Sequence, residues 1–122
     1  MQSTDPCPCG TGQSFGACCL PLHTGERQAD TAEQLMRSRY SAYAVDDVDY
    51  LWRTWHPRTR PAELIPNTGL RWTRLEMVDV ADDEVEFRAY YRQDGQPGTL
   101  HERSRFAMRA RRWFYVDGDL FQ

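Results

Sequence analysis

Leu100-His101-Glu102-Arg103-Ser104-Arg105-Phe106-Ala107-Met108-Arg109-Ala110 is the stretch that decides the fold. Leu100, Ser104, Phe106, Met108 and Ala110 fall on one side, and Arg103, Arg105, Ala107 and Arg109 on the other. Arg111 continues the basic side. That period of two is the mark of a strand with one face buried. Toward the N-terminus, Val85, Phe87, Ala89 and Tyr91 line one face of an earlier strand, and Asp94-Gly95 with Pro97-Gly98 mark the turn between the two. Ala81-Asp82-Asp83-Glu84 is a further turn, preceded by a strand over 71–80. Toward the C-terminus a fourth strand covers 113–116. The four together predict an antiparallel meander.

Before the strands the period is that of a helix. Ala32, Leu35, Met36, Arg39, Tyr40, Tyr43 and Ala44 recur at three- and four-residue steps, with Thr31 and Gln34 placed as a capping box. Asp46 or Asp47 caps a second helix whose inner face is Val48, Leu51, Trp52 and Trp55, and His56-Pro57 stops it. The stretch 58–69, with Pro61 and Pro66, is connection, with room for one helical turn at 62–65. Helices followed by a meander give an α+β fold, with the helices on one face of a curved sheet.

Composition narrows the function. With 40% hydrophobic and 12% aromatic residues the chain can build a core. A net charge of −3 argues against a dedicated nucleic-acid binder. Every Lys/Arg-type residue is arginine, which excludes Schiff-base chemistry and a Walker-type phosphate loop. No stretch is long and apolar enough for a membrane span, and the N-terminal residues lack the basic and apolar regions of a signal peptide. A cytoplasmic location is the expectation, where cysteines stay reduced.

Residues 1–25 are rich in Cys, Pro and Gly and have no periodic pattern. Cys7 and Cys9 are separated by one residue, and Cys18 and Cys19 are adjacent eight residues later. Four thiolates complete a tetrahedral shell, so the expectation is one structural zinc ion per chain. Disulfides within Cys-x-Cys or between adjacent cysteines are strained, and iron–sulfur ligation uses other spacings. His23 follows closely, but with four thiolates in place it is expected at the surface. Removal of zinc is expected to disorder these residues and leave residues 26–122 folded.

The stretch Cys7-Pro8-Cys9-Gly10-Thr11-Gly12-Gln13-Ser14-Phe15-Gly16-Ala17-Cys18-Cys19 resembles the SEC-C motif, known from the tail of the bacterial preprotein-translocase motor, where it binds zinc and serves partner recognition. Thr11 stands in place of the usual serine, Gln13 in place of the usual lysine, and the motif ends Cys-Cys rather than Cys-His. Ala32-Glu33-Gln34-Leu35-Met36-Arg37-Ser38-Arg39-Tyr40-Ser41-Ala42-Tyr43, Thr54-Trp55-His56-Pro57, Glu102-Arg103-Ser104-Arg105-Phe106 and Trp113-Phe114-Tyr115-Val116-Asp117-Gly118 resemble the YchJ-like family of small bacterial proteins. That resemblance spans essentially the whole chain. It implies an NTF2-like cone for residues 26–122, behind a zinc knuckle at 1–25, and it names no activity.

NTF2-like cones often enclose a cavity between helices and sheet. Glu102 is in phase with Leu100 and Ser104 and is expected to face inward, either charge-paired, with Arg39 or with His56 and Arg58 as partners, or acting as a pocket carboxylate. His56 and Tyr43 are the other pocket candidates, with Arg58 beside His56 and with Tyr40, Trp52 and Trp55 as walls. The stripe of Arg103, Arg105, Arg109 and Arg111 is read as a solvated face with cross-strand charge pairs, or as a surface for an acidic partner or RNA. The function expected is a zinc-stabilised interaction or adaptor module with an unidentified protein partner, with two alternatives: an NTF2-like small-molecule binder or enzyme using Glu102, and an RNA- or ribosome-associated factor. A solvent-connected cavity containing Glu102 favours the second. A filled core with an apolar patch beside the knuckle favours the first.

Overall fold

Apolar side chains at alternate positions commit the C-terminal half to strands, and the computed structural model, which describes residues 1–65 and 69–121, shows them paired as one antiparallel meander. A 3-10 turn at Phe15–Ala17 and helices α1 (Leu20–His23), α2 (Ala32–Ala44) and α3 (Val48–Arg53) come first. Strands β1 (Leu70–Val80), β2 (Glu84–Gln93), β3 (Gln96–Arg109) and β4 (Arg112–Phe121) follow in that order across the sheet. Residues 62–65 form no helical turn, and Pro66 lies outside the described residues. None of the described helices is long and apolar enough to cross a membrane.

Local signals account for the boundaries. The Thr31 hydroxyl accepts from the Gln34 N–H at 3.1 Å, and the Gln34 side chain accepts from the Asp30 N–H at 2.6 Å. This is a capping box displaced by one residue at its second bond. Asp47, rather than Asp46, caps α3 by accepting from the Tyr50 N–H at 3.0 Å, while Asp46 takes a left-handed φ of 60° just after α2. The β2–β3 turn is Asp94-Gly95, with φ of 51° and 86°, the pattern of a type I′ hairpin. Pro97 and Gly98 lie inside β3, opposite Arg92 and Tyr91, and a Cβ on Gly98 would collide with the Tyr91 ring.

Leu35, Met36 and Tyr40 of α2 meet Val85, Phe87, Ala89 and Phe106 of the sheet in one core. Each such side chain contributes about 1.5–3 kcal/mol by leaving water. The sheet bends around α2, which touches β1, β2 and β4. Register slips between Trp72 and Arg74, between Met77 and Asp79, and between Arg105 and Phe106 supply the curvature.

Two of the predicted faces need correction. Met108 is 53% exposed and Ala110 is not in the strand, because β3 ends at Arg109 and turns through Ala110 and Arg111, both with positive φ (51° and 66°). Arg111 therefore belongs to the turn rather than to the basic face. On α3 the buried residues are Tyr50 and Leu51, whereas Trp52 faces outward under the Arg60 guanidinium at 3.7 Å. Trp55 lies beyond the helix end, edge-on to Tyr115 with ring centroids 5.1 Å apart.

The Ala110-Arg111 turn uses two L-residues where glycine or asparagine is favoured. Left-handed backbone costs roughly 1–2 kcal/mol per ordinary residue, partly offset in glycine by its looser unfolded chain. Arg111→Gly should therefore raise stability by up to about 1 kcal/mol, read as a higher urea midpoint. A lower midpoint would show that the turn is not strained.

Candidate functional site

The knuckle folds onto α2, and that contact gathers the cysteines. The thiols of Cys7, Cys9, Cys18 and Cys19 all lie within 4.8 Å of one another. Cys9 Sγ is 3.5 Å from Cys18 Sγ, which is 3.9 Å from Cys19 Sγ. The left-handed φ values of Gly10 and Gly12 (83° and 88°) turn the loop back toward the second pair. Four sulfur ligands at this spacing could hold a metal ion.

Polar groups surround the sulfurs. The Thr11 hydroxyl lies 3.2 Å from Cys18 Sγ, and Ser41 Oγ on α2 lies 3.5 Å from Cys7 Sγ. Arg37, one turn earlier on α2, donates to the Cys9 carbonyl at 2.6 Å and is held by Glu33 at 2.9 Å. The thiols share their protons unequally. Hydrogen bonds from Cys19 and Cys9 hold Cys7 far below the usual thiol range. Burial pushes Cys18 up to about 11, and donation to Cys7 pushes Cys19 up.

His23 is buried, not at the surface as its sequence position suggested. Its Nε2 lies 2.8 Å from the Ser38 carbonyl, and Phe15 and Tyr50 flank its ring at centroid distances of 5.5 and 4.7 Å. Arg53 of α3 donates to the His23 carbonyl. His23 thus pins α1 to α2 and α3 and takes no place among the sulfurs. Ser38 completes the joint by sharing a 2.7 Å hydrogen bond with the Tyr50 hydroxyl.

The second candidate site is a cavity of about 220 Å³ between α2 and the sheet. Tyr40, Tyr43, Trp55, Trp72 and Tyr115 supply aromatic wall, and Arg39, Glu102 and Ser104 supply polar groups. Glu102 reaches it as the strand phase predicted. Its Oε2 accepts from the Ser104 hydroxyl and from the Tyr115 hydroxyl at 3.2 Å. Gly118 on β4 makes the space, since a Cβ there would collide with the Glu102 carboxylate. Burial, followed by the Glu102 charge, pushes the Tyr115 phenol up, so it remains a donor. Burial also pushes the Tyr40 phenol up to about 12.

The predicted Arg39–Glu102 pair does not form. Arg39 is 5% exposed, and its two hydrogen bonds both leave from Nη1, to the Leu51 carbonyl at 2.8 Å and the Thr54 hydroxyl at 2.7 Å. The guanidinium lies 4.7 Å from the Tyr115 ring centroid and 5.2 Å from that of Trp55, an arrangement in which the ring quadrupoles offset part of the desolvation. Loss of water lowers the Arg39 pKa from its ordinary value. Tyr43 stands at the rim, 41% exposed. His56 is not among the lining residues. Its ring lies edge-on to Phe114, and its Nδ1 accepts from the Arg58 N–H at 3.0 Å.

On the opposite face of the sheet, Arg103 binds Asp79, Glu84 and Glu86, and Arg105 binds Asp117 and Asp119. These are the cross-strand charge pairs expected of a solvated face. The polar residues that pattern reading missed are Arg37, Ser38, Ser41, Tyr50 and Tyr115. Ser38 and Ser41 carried a usable signal, because serines interrupting the apolar side of a helix need partners when buried.

Fold and site together define an NTF2-like α+β domain with a cysteine knuckle docked on its first long helix. The family model described as YchJ, middle NTF2-like domain, matches residues 31–118, and the chain belongs to that family. The SEC-C motif matches residues 4–21. A UPF0225 protein of Deinococcus radiodurans is 57% identical over 113 residues, 92% of this chain and 87% of the relative. A UPF0225 protein of Streptomyces coelicolor is 51% identical over 123 residues, 95% and 96% of the two chains. The solution structure of a SEC-C motif containing protein from Rhodopseudomonas palustris aligns with a TM-score of 0.82 at 32% identity, over 95% of this chain and 98% of that one.

The polar contacts rank two substitutions. Glu102→Gln keeps an oxygen for Ser104 and Tyr115 and should cost less than about 1 kcal/mol, whereas Arg39→Met strips two carbonyl and hydroxyl acceptors of a charged donor and should cost about 2–3 kcal/mol. Urea unfolding of the two variants checks the order. Equal, large losses would restore a direct Arg39–Glu102 interaction as the organising contact.

Proposed function

We propose that this protein is a small-molecule-binding NTF2-like protein of the bacterial cytosol, stapled at its N-terminus by one structural zinc ion. The observation that carries the binding reading is the cavity of about 220 Å³ with Glu102, Ser104 and Arg39 on an otherwise aromatic wall. A few converging polar groups in an apolar concavity are the general form of a ligand site. By the criterion of a cavity containing Glu102, the geometry favours this reading over the adaptor reading. The adaptor reading calls for an apolar patch beside the knuckle. Of the exposed large apolar side chains among the described residues, Met1 alone comes from residues 1–25.

Zinc suits the cysteine cluster on the chemistry of the donors. Tetrahedral Zn–S bonds of about 2.3 Å require sulfur–sulfur edges of roughly 3.8 Å, against 3.5 and 3.9 Å for Cys9–Cys18 and Cys18–Cys19. Bound zinc would hold all four thiolates ionised and tie the Cys7–Cys9 turn to the Cys18–Cys19 pair without an open coordination position. Thr11 and Ser41 then donate to sulfur, and Arg37 places a positive charge beside the anionic centre.

Two measurements test the proposal. Protein purified without chelator should carry one zinc per chain, and chelation should abolish amide protection in 1–25 and reduce it in α2, whose Ser41 and Arg37 hold the knuckle. Protection lost only before residue 26 would make the knuckle an independent unit. For the cavity, denaturing the protein purified from a bacterial lysate should release a bound small molecule that the filled-cavity variant Ala89→Leu does not retain. Equal release from both proteins would remove the cavity as the binding site.

A further inference from the structure

The hydrogen-bonding needs around the cavity are unequal. Glu102 is the one carboxylate among the described residues that line it, and its Oε2 already receives two hydroxyl donors, from Ser104 and Tyr115. Arg39 is buried with no carboxylate of the described residues within ion-pair distance, and its Nε and Nη2 make no hydrogen bond with any described residue. Trp55, which lines the same cavity, carries a buried indole N–H with no acceptor among the described residues. Buried donors seldom stay unpartnered, because each costs the free energy of the water it has lost. Among the described residues, that leaves Arg39 Nε and Nη2 and the Trp55 indole N–H as donors without an acceptor, against Glu102 Oε1 as the one carboxylate oxygen without a donor. The rest of its wall, including Tyr40, Trp72 and Phe106, is flat and apolar.

We infer that the cavity takes a small carboxylic acid with an aromatic or apolar body, its carboxylate placed against the Arg39 guanidinium and the Trp55 indole N–H. The inference rests on the cavity being a binding site and names the class of ligand. A guanidinium edge and an indole N–H are both donor-only groups, and a carboxylate is acceptor-only with room for several donors. The body of the acid stacks on the ring faces, where aromatic contacts add to simple burial. At about 220 Å³ the space lies below the roughly 300–1,000 Å³ of drug-sized pockets, which restricts the ligand to one ring or a short chain. Glu102 sets the orientation, because its charge keeps the acid group at the Arg39 end. A cationic ligand would reverse the arrangement, needing Glu102 as its partner and bringing a second positive charge near Arg39.

Three matched probes decide between these cases: phenylacetate, the neutral 2-phenylacetamide and the cationic 2-phenylethylamine, titrated calorimetrically into the zinc-replete full chain. Phenylacetate should bind saturably and more tightly than either other probe. Trp55→Phe, which keeps a ring and removes the N–H, should weaken phenylacetate by about tenfold or more, the loss expected for one charge-assisted hydrogen bond. Glu102→Gln should tighten phenylacetate binding, since a like charge is removed from the cavity. Tighter binding of the amine or the amide to the wild-type protein overturns the acid assignment while leaving the cavity as a binding site. Weaker or unchanged phenylacetate binding in Glu102→Gln, or no effect of Trp55→Phe, overturns it as well. Failure of all three probes to saturate overturns both the acid assignment and the binding reading. The order of the probes on the wild-type protein decides the matter even if a variant does not fold.

Discussion

A buried guanidinium organises the cone. Arg39 projects from the middle of α2, grips the carbonyl of Leu51 and the hydroxyl of Thr54 at the end of α3, and lies against the rings of Trp55 and Tyr115. One side chain thereby fixes two helices, the segment after them and the fourth strand. The backbone repeats the connection, since the His56 N–H donates to the Tyr115 carbonyl and the Tyr115 N–H to the Thr54 carbonyl. A buried cation is costly unless hydrogen bonds and ring faces replace its water. The arrangement answers that need on one side of the guanidinium and leaves its other edge without a hydrogen-bond partner among the described residues. The cavity follows from the same geometry, because the aromatic rings that support the charge also keep the sheet and α2 apart.

The knuckle depends on that frame and supports it in turn. Cys7, Cys9, Phe15 and Cys19 are buried in the same cluster as Leu35, Met36 and Tyr40, so the cysteine loop closes the core beside α2. Ser41 and Arg37 reach the loop from one side of α2, and Arg39 and Tyr40 face the cavity from another. A small domain gains much from a cross-link of this kind, since a core of this size leaves a narrow margin of stability. A metal ion held by the knuckle would therefore bear on the cavity through the helix they share.

The parts of the structure legible in the sequence were those governed by local rules. Alternation set the inward phase of Val85, Phe87, Ala89 and Phe106, and Asp94-Gly95 declared its turn because both positions need positive φ. The adjacent cysteine pair and Cys-x-Cys came together as their spacing suggested. Met108 and Ala110 were placed in the core because a turn built from alanine and arginine gives no warning in composition. Trp52 and Tyr50 exchanged places because α3 is short, so its inner face is set by what lies beneath it rather than by periodicity. His23 was misread because its burial comes from contacts with Ser38 and Tyr50, more than ten residues away. Glu102 entered the cavity as its phase required, but its partners are hydroxyls from β3 and β4. Nothing local distinguishes those donors from an arginine fork.

The central claim is that the polar edge left open beside Arg39 and Trp55 is a recognition site. Indole N–H signals of the ¹⁵N-labelled protein test it most directly, because Trp52 and Trp113 already donate to the carbonyls of Pro61 and Asp30 while Trp55 has no acceptor among the described residues. Addition of phenylacetate should shift the Trp55 signal downfield to a plateau and leave those of Trp52 and Trp113 in place. A Trp55 signal that does not move, or that drifts together with the other two without saturating, would contradict the account.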